Sequence, residues 1–379
     1  MQDIIIILGT RPEAVKLAPV ILELHKYRDY KVSVCNTEQQ KELSNQALAF
    51  FGIKADFNLD AMRVDQSLSG LQALLLKELA DLFVKNRFDA AIVQGDTMTA
   101  FCAALAAFYT RTPVFHLEAG LRSYNLLEPF PEEALRQMTA RIACLHFAPT
   151  QRAEAALKSE GISTDKIILT GNTVIDALFC LPSQTLKAAE ESIAERAVKP
   201  TDKTVLVTVH RRENHGERLD KILEALVELA VKFHDHEFIL PVHPNPNVRG
   251  KVHAALGKLA NVYLTEPLDY PELVSVMKSA KLILTDSGGI QEEAPSFGAP
   301  VLVMRYETER TEGVEAGFAK LVGAQKDLII SEAAAVLSLE RAETRLNGDK
   351  NPYGDGCAAQ KVEKAIREFF NTSSLKKFL

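Results

Sequence analysis

An α/β fold of two doubly wound parallel-sheet domains is predicted by three features of this chain. A β-α-β rhythm runs through it twice in succession. Its strands are short, unbroken apolar runs, as expected of strands covered by helices on both faces. Unusual polar clusters recur just past the ends of those runs, where open parallel sheets bind ligands. The 379 residues hold the core of about two or three domains.

In chain order, the first series opens with a strand at 4–8, a helix from about Glu13, a strand at 31–36 and a helix near 41–51. It continues with a strand at 90–94, a helix through 99–109 and a strand at 113–117. A helix from Glu132, a strand near Phe147 and another at 167–169 close this half. Residues 181–203 are charged and carry little core signal beyond a surface helix. The second series has strands at 205–209, 237–241, 262–264, 282–285 and 301–304, with a helix near 219–233. A final helix at 360–370 is a candidate to pack back on the first domain. The expected organisation is an N-terminal domain at 1–171, a second domain at 172–358 and a terminal helix at 359–379. A ligand cleft is expected between the two domains.

Composition narrows the function. Hydrophobic residues make up 47% and charged ones 25%, a globular balance. A net charge of -6 argues against general nucleic-acid affinity, which needs a concentrated positive face. No apolar run reaches the roughly 18 residues of a membrane span. The segment after Met1 reads as a buried strand and not a signal peptide. Cys35, Cys102, Cys144, Cys180 and Cys357 lack the close pairing of zinc sites, and are expected to be free thiols in a reducing cytoplasm. Neither a GxGxxG fingerprint nor a Walker loop is present, which weakens dehydrogenase and nucleotidase readings.

The most informative segment is 284–295, LTDSGGIQEEAP. It reads as a strand end, a Ser287-Gly288-Gly289 turn and a helix start, a device that holds a diphosphate on backbone N–H groups. Glu293 lies one helical turn on, in reach of ribose hydroxyls. The plainer alternative is a helix capped by Ser287. In the first half, Arg11 and Lys16 flank a helix start, where a cation is unfavourable without an anion nearby. They contact a ligand or pair with Glu13 at the surface. Asp96 follows the strand at 90–94 and is either a ligand-facing acid or a helix cap. Glu118 directly follows a buried strand, where desolvation suits a carboxylate to proton transfer. Glu132 follows Pro131 in a first helical turn, where a dipole partner bridged to Arg136 is the simpler reading. His210 and Arg211 end a strand as a cationic pair suited to a diphosphate. His243 and Asn245 lie between prolines. Acids on one domain and an anion site on the other describe acid–base work on a diphosphate-linked substrate.

With these motifs the chain resembles the non-hydrolysing UDP-N-acetylglucosamine 2-epimerases. The resemblance spans essentially its whole length. It rests on GTRPEAVK at 9–16, GDT at 95–97, HLEAGLR at 116–122, PEE at 131–133, GNTVID at 171–176, HRREN at 210–214, SGGIQEEAP at 287–295, TER at 308–310 and NPYGDG at 351–356. It implies a GT-B-like fold of two Rossmann-like domains, a homodimer and a role in bacterial polysaccharide synthesis. It also implies interconversion of UDP-N-acetylglucosamine and UDP-N-acetylmannosamine with neither metal nor nicotinamide, through loss of UDP to 2-acetamidoglucal and re-addition. Carried over by motif, Asp96, Glu118 and Glu132 are acid–base candidates, with His210 beside the diphosphate. Arg11, Lys16, Arg211 and His243 are expected to bind substrate, Ser287, Gly288 and Gly289 the phosphates, and Glu293 the ribose. A hydrolysing relative and a non-catalytic UDP-sugar sensor are the competing readings.

Two segments depart from the family. Thr37-Glu38-Gln39-Gln40-Lys41 stands where relatives read Thr-Ala-Gln-His-Arg or similar, and Asp65-Gln66 where they often carry Arg-Gln. In those relatives the segments help bind a second, activating UDP-N-acetylglucosamine. An anion at Asp65 repels a diphosphate, so weak or absent activation is expected.

Overall fold

The computed structural model describes residues 1–63, 66–196, 200–243 and 245–372, with the side chains of Arg212, Asn247 and Asp349 excepted. The chain divides into two compact units. Met1–Cys180 and Tyr353–Leu379 form the first, and Leu181–Pro352 form the second.

The first unit contains strands β1 (Gln2–Leu8), β2 (Tyr30–Asn36), β3 (Phe57–Asn58), β4 (Ala90–Gln94), β5 (Val114–Leu117), β6 (Leu145–Ala148) and β7 (Ile167–Leu169). Between and after them run α1 (Arg11–Leu24), α2 (Lys41–Phe50), α3 (Leu68–Lys85), α4 (Met98–Tyr109), α5 (Glu132–Ile142), α6 (Gln151–Ser159) and α7 (Thr173–Cys180). The strands pair in parallel in the order β3-β2-β1-β4-β5-β6-β7. The run Ile4 to Leu8 is fully buried because helices cover both faces of this central strand.

The second unit begins with α8 (Ser183–Glu195) and β8 (Thr204–Thr208). It continues through α9 (Glu217–Lys232), β9 (Glu237–Pro241), α10 (Pro246–Leu256), β10 (Val262–Thr265), α11 (Tyr270–Ser279) and β11 (Leu282–Thr285). Then come α12 (Gly288–Glu293), β12 (Val301–Val303), α13 (Thr311–Glu315), β13 (Ala319–Leu321), α14 (Lys326–Leu337) and α15 (Arg341–Thr344). Its parallel order is β10-β9-β8-β11-β12-β13. Both sheets therefore reverse strand order beside their first strand, and the loops at that reversal are where such sheets place ligands.

The chain returns to the first unit as α16 (Ala358–Asn371), which packs on α1 and α7. Its N-cap residue, Cys357, supplies no side-chain hydrogen bond. Asp176 of α7 does so instead, accepting from Ala359 N at 2.8 Å. Asn172 N donates to Tyr353 O at 2.7 Å, which stitches the returning segment to the start of α7. The unit boundaries accordingly fall after Cys180 and before Tyr353, where the sequence suggested 171/172 and 358/359. The helix at 183–195 also does more than the surface role expected of it. Ala189 and Ile193 are buried, and Ser192 Oγ donates to Glu272 Oε1 of α11 at 2.7 Å. Phe369 anchors α16 by an edge contact with Phe115, ring centroids 5.0 Å apart. Phe369→Ala is expected to cost about 3 to 4 kcal/mol of stability, read as a lower urea midpoint and earlier proteolysis of the C-terminal helix.

Candidate active site

In the first unit the site is built from loops after β1, β4 and β5. Thr10 caps α1 and its partner Glu13 completes a capping box, because Thr-x-x-Glu satisfies two helix-end donors at once. Glu13 is fully buried. Its Oε2 accepts from Gly9 N (3.0 Å), Thr10 N (2.8 Å) and Thr10 Oγ1 (2.8 Å), while Thr97 Oγ1 donates to Oε1 at 2.6 Å. This single carboxyl ties the β1 loop to the β4 loop. The surface pairing of Glu13 with Arg11 or Lys16 weighed from sequence is therefore not formed. Arg11 is the first residue of α1, half-buried, with its backbone N donating to Gln40 Oε1 at 3.1 Å.

Lys16, one turn further along α1, forms an ion pair with Glu118 Oε1. Glu118 follows β5 directly and has a left-handed backbone, φ 58°, a conformation that is costly outside glycine and common at functional sites. Gln94 Nε2 donates to its Oε2, and Asn172 Nδ2 donates to Oε1 at 3.0 Å. Gly120 makes this turn possible: with φ 93°, a Cβ there would sit 2.3 Å from Ala153 O of α6. Arg122 of the same motif is structural, its guanidinium bidentate on Glu160 at 2.6 and 2.9 Å.

Asp96 is not a cap, since Thr97 caps α4. Its carboxylate pairs instead with Arg136 of α5. Burial pushes Asp96 above its ordinary range; Arg136 pulls it down and the Glu118 charge pushes it up. Arg136 also reaches Glu133 Oε2 at 3.4 Å, so the bridge to Glu132 weighed from sequence is replaced by these two partners. Glu132 lines a cavity of about 260 Å³ together with Asp96, Thr10, Gln39 and Gln40. His116 takes no ligand-facing role; its Nε2 lies 2.8 Å from Gly95 O, and burial depresses the ring to about 4.

The second unit gathers its polar groups after β8 and β11. Asp286 is fully buried and accepts from His210 N (3.0 Å), Arg211 N (2.9 Å) and Asn214 Nδ2 (3.0 Å), with His210 Nδ1 2.9 Å away. Burial works to raise Asp286, but His210 and the backbone donors hold it below the usual carboxylate range. The His243 ring lies nearly parallel to that of His210, centroids 6.2 Å apart. Burial and the neighbouring His210 and His215 hold His243 below the ordinary imidazole value. Arg211 is half-buried at the start of this turn. His243 Nδ1 accepts from Asn245 N at 3.2 Å, and the residue between them lies outside the described set.

Ser287 sits at the N-cap of α12, as the plainer alternative has it, but its side chain makes no capping bond. The helix is short, running from Gly288 to Glu293 before a 3-10 turn, Ala294–Phe297. A Cβ at Gly288 would lie 3.2 Å from Arg310 Cζ, whereas Gly289 has open space around that position. Glu293 closes α12 and is buried.

The structure thus joins Lys16, Glu118, Asp96 and Glu132 in one unit, and His210, His243 and the Ser287 turn in the other. Gln94, Asn172, Glu13 and Asp286 were not singled out from sequence. Only Glu13 (through its capping box) and Asp286 (an acid between a buried strand and Ser-Gly-Gly) had a local signal to find.

Parallel sheets with Rossmann strand order and polar loops at their reversal points define a GT-B-like α/β enzyme. The family model for UDP-N-acetylglucosamine 2-epimerase matches residues 22–367. The UDP-N-acetylglucosamine 2-epimerase of Neisseria meningitidis is 44% identical over 369 residues, 96% of this chain and 99% of that protein. The Escherichia coli protein of the same name is 42% identical over 97% of this chain and 98% of its own. A crystal structure of the Neisseria meningitidis enzyme bound to UDP-GlcNAc covers 97% of this chain and 100% of that one, with a TM-score of 0.87 at 43% identity. A UDP complex of MnaA from S. aureus has a TM-score of 0.86 at 40% identity, covering 98% of this chain and 97% of that one. The chain belongs to the non-hydrolysing UDP-N-acetylglucosamine 2-epimerase family.

Burial raises the Glu13 carboxyl from 4.5 to about 7 against four hydrogen bonds that lower it. The folded state then keeps a proton that the unfolded chain has released, so stability falls as pH rises from 4.5 toward 7. Glu13→Gln is expected to remove a pH-dependent loss of up to about 3 kcal/mol, seen by comparing urea unfolding of both proteins at the two ends of that window.

Proposed function

We propose that the chain interconverts UDP-N-acetylglucosamine and UDP-N-acetylmannosamine without hydrolysis. The observation that carries this reading is the Glu118 carboxylate, held by Lys16, Gln94 and Asn172 beside the Asp96–Arg136 pair. The hydrogen on carbon 2 of the sugar has no ring carbonyl beside it, so enolisation is unavailable. A base removes that proton, its bonding electrons form the C1–C2 double bond, and the C1–O electrons leave with UDP. The products are 2-acetamidoglucal and UDP. Re-addition forms the C1–O bond again while a proton enters carbon 2 from the opposite face. Each step balances with no oxidant or reductant.

Asp96, Glu118 and Glu132 are the acid–base groups in this reading, and Arg11 and Lys16 steady the substrate. His210 and Arg211 offset the charge on departing UDP, which is worth most in a water-poor site, and His243 contacts the substrate as a neutral ring. Ser287, Gly288 and Gly289 hold the phosphates, and Glu293 the ribose. The open space around Gly289 supports close backbone approach there.

Activation by a second UDP-N-acetylglucosamine is proposed to be weak or absent. Lys41 is engaged by Asp60 at 3.0 Å and Glu38 at 3.2 Å, which leaves less of its charge for a second diphosphate. Asp65, the other departure, lies outside the described residues.

Proton NMR of the purified enzyme with UDP-N-acetylglucosamine in heavy water tests the assignment. Epimer with deuterium at carbon 2 is expected; free N-acetylmannosamine would indicate hydrolysis instead. Glu118→Gln is expected to lower kcat by about two to four powers of ten, and near-normal turnover would remove Glu118 from the mechanism. Rate curves should be hyperbolic, with UDP-N-acetylmannosamine turned over when supplied alone. A sigmoidal curve would contradict the missing activation.

A further inference from the structure

A neutral imidazole donates from one nitrogen and accepts at the other, and its partners decide which. At His210, Nδ1 lies 2.9 Å from Asp286 Oδ1. The other oxygen of Asp286 accepts from the backbone N–H of His210 and of Arg211 and from Asn214 Nδ2, at 2.9 to 3.0 Å. Asn214 spends a second hydrogen bond on Met304 O at 3.0 Å, which fixes its own orientation. Each of these groups donates, so the carboxylate acts throughout as an ionised acceptor. It is also fully buried, while the His210 side chain is 40% exposed. Among the described side chains, the cationic and titratable neighbours of the ring include Arg211, which follows it, and His243, which stacks on it with His215 beyond.

We propose that Asp286 is a positioning residue for His210: it accepts the Nδ1 proton in either charge state, turns Nε2 toward the departing UDP, and backs with a buried negative charge the imidazolium whose Nε2–H donates to a phosphate oxygen. The inference rests on the reading that places His210 beside departing UDP, and it assigns the two ring nitrogens their roles. Asn214 completes the arrangement by holding the carboxylate in register. A histidine without such a partner would divide its proton between the two nitrogens and rotate at the strand end, so part of the population would present the wrong group.

Long-range proton–nitrogen NMR of the full-length, nitrogen-15-labelled protein reads the tautomer directly, with the His210 signals identified by their loss in His210→Gln. Wild type is expected to show Nδ1 protonated with or without UDP. In Asp286→Asn the carboxamide keeps its oxygen toward the backbone donors and turns its NH2 to Nδ1, which should move the ring proton to Nε2. That variant should lose about 10²-fold in kcat with KM changed less than about threefold. An unprotonated Nδ1 in wild type would overturn the proposal without any variant, so a poorly folding Asp286→Asn does not protect it. Turnover within about twofold of wild type in a variant with the inverted tautomer would also overturn it. The wild-type spectrum needs no substrate, so this inference and the epimerase reading fail separately: a protein that never epimerises yet holds its proton on Nδ1 keeps the Asp286–His210 pair and loses the reaction.

Discussion

The carboxylate of Glu118 and the groups that grip it are the constraint on which the chemistry proposed for the first unit depends. A charge in a half-dry loop is tolerable only if donors replace the water it loses. Here an ammonium from α1, a carboxamide at the end of β4 and a second carboxamide ahead of α7 converge on one side chain. Three separate elements must fold correctly before the acid is seated. The left-handed backbone at Glu118 adds a cost of about 1 to 3 kcal/mol, which the close fit of Gly120 against α6 sustains. Rigidity of this kind suits the proton-transfer role proposed for Glu118, since small displacements at the reacting atoms are expensive.

The two units solve one problem with the same grammar. Each sets a fully buried acid at the reversal point of its sheet, and neither acid faces solvent. Glu13 gathers the β1 and β4 loops, whereas Asp286 gathers the β8 and β11 loops. Their electrostatics diverge. Burial dominates at Glu13, while the histidine and backbone donors prevail at Asp286. The first carboxyl acts as a structural knot and the second as a charged brace.

Much of the architecture was legible because central parallel strands are buried on both faces and so appear as unbroken apolar runs, as at Ile4 to Leu8. Helix α3 carried an equally readable pattern, a leucine-rich stripe behind the capping Ser67, and went unassigned. The short β3 and β13 carry too few residues to show any period. The charged residues of the site stood out because acids and bases after strand ends are rare. Gln94 and Asn172 did not, since a neutral amide carries no signal until the chain brings it against a charge. Arg136 was paired with the wrong acid for a related reason: helical spacing puts it near Glu132, but the turn after β4 delivers Asp96 to it. Local periodicity proposes neighbours, and long-range packing chooses among them.

The return of α16 to the first unit has a consequence for biosynthesis. A ribosome makes β1 long before the helix that Asp176 caps and Phe369 anchors leaves the exit tunnel. The second unit, encoded as one uninterrupted stretch, is free to close while its older neighbour waits. Any message cut short of Tyr353 therefore strands the first unit without the helix that completes its packing, however complete the second has become.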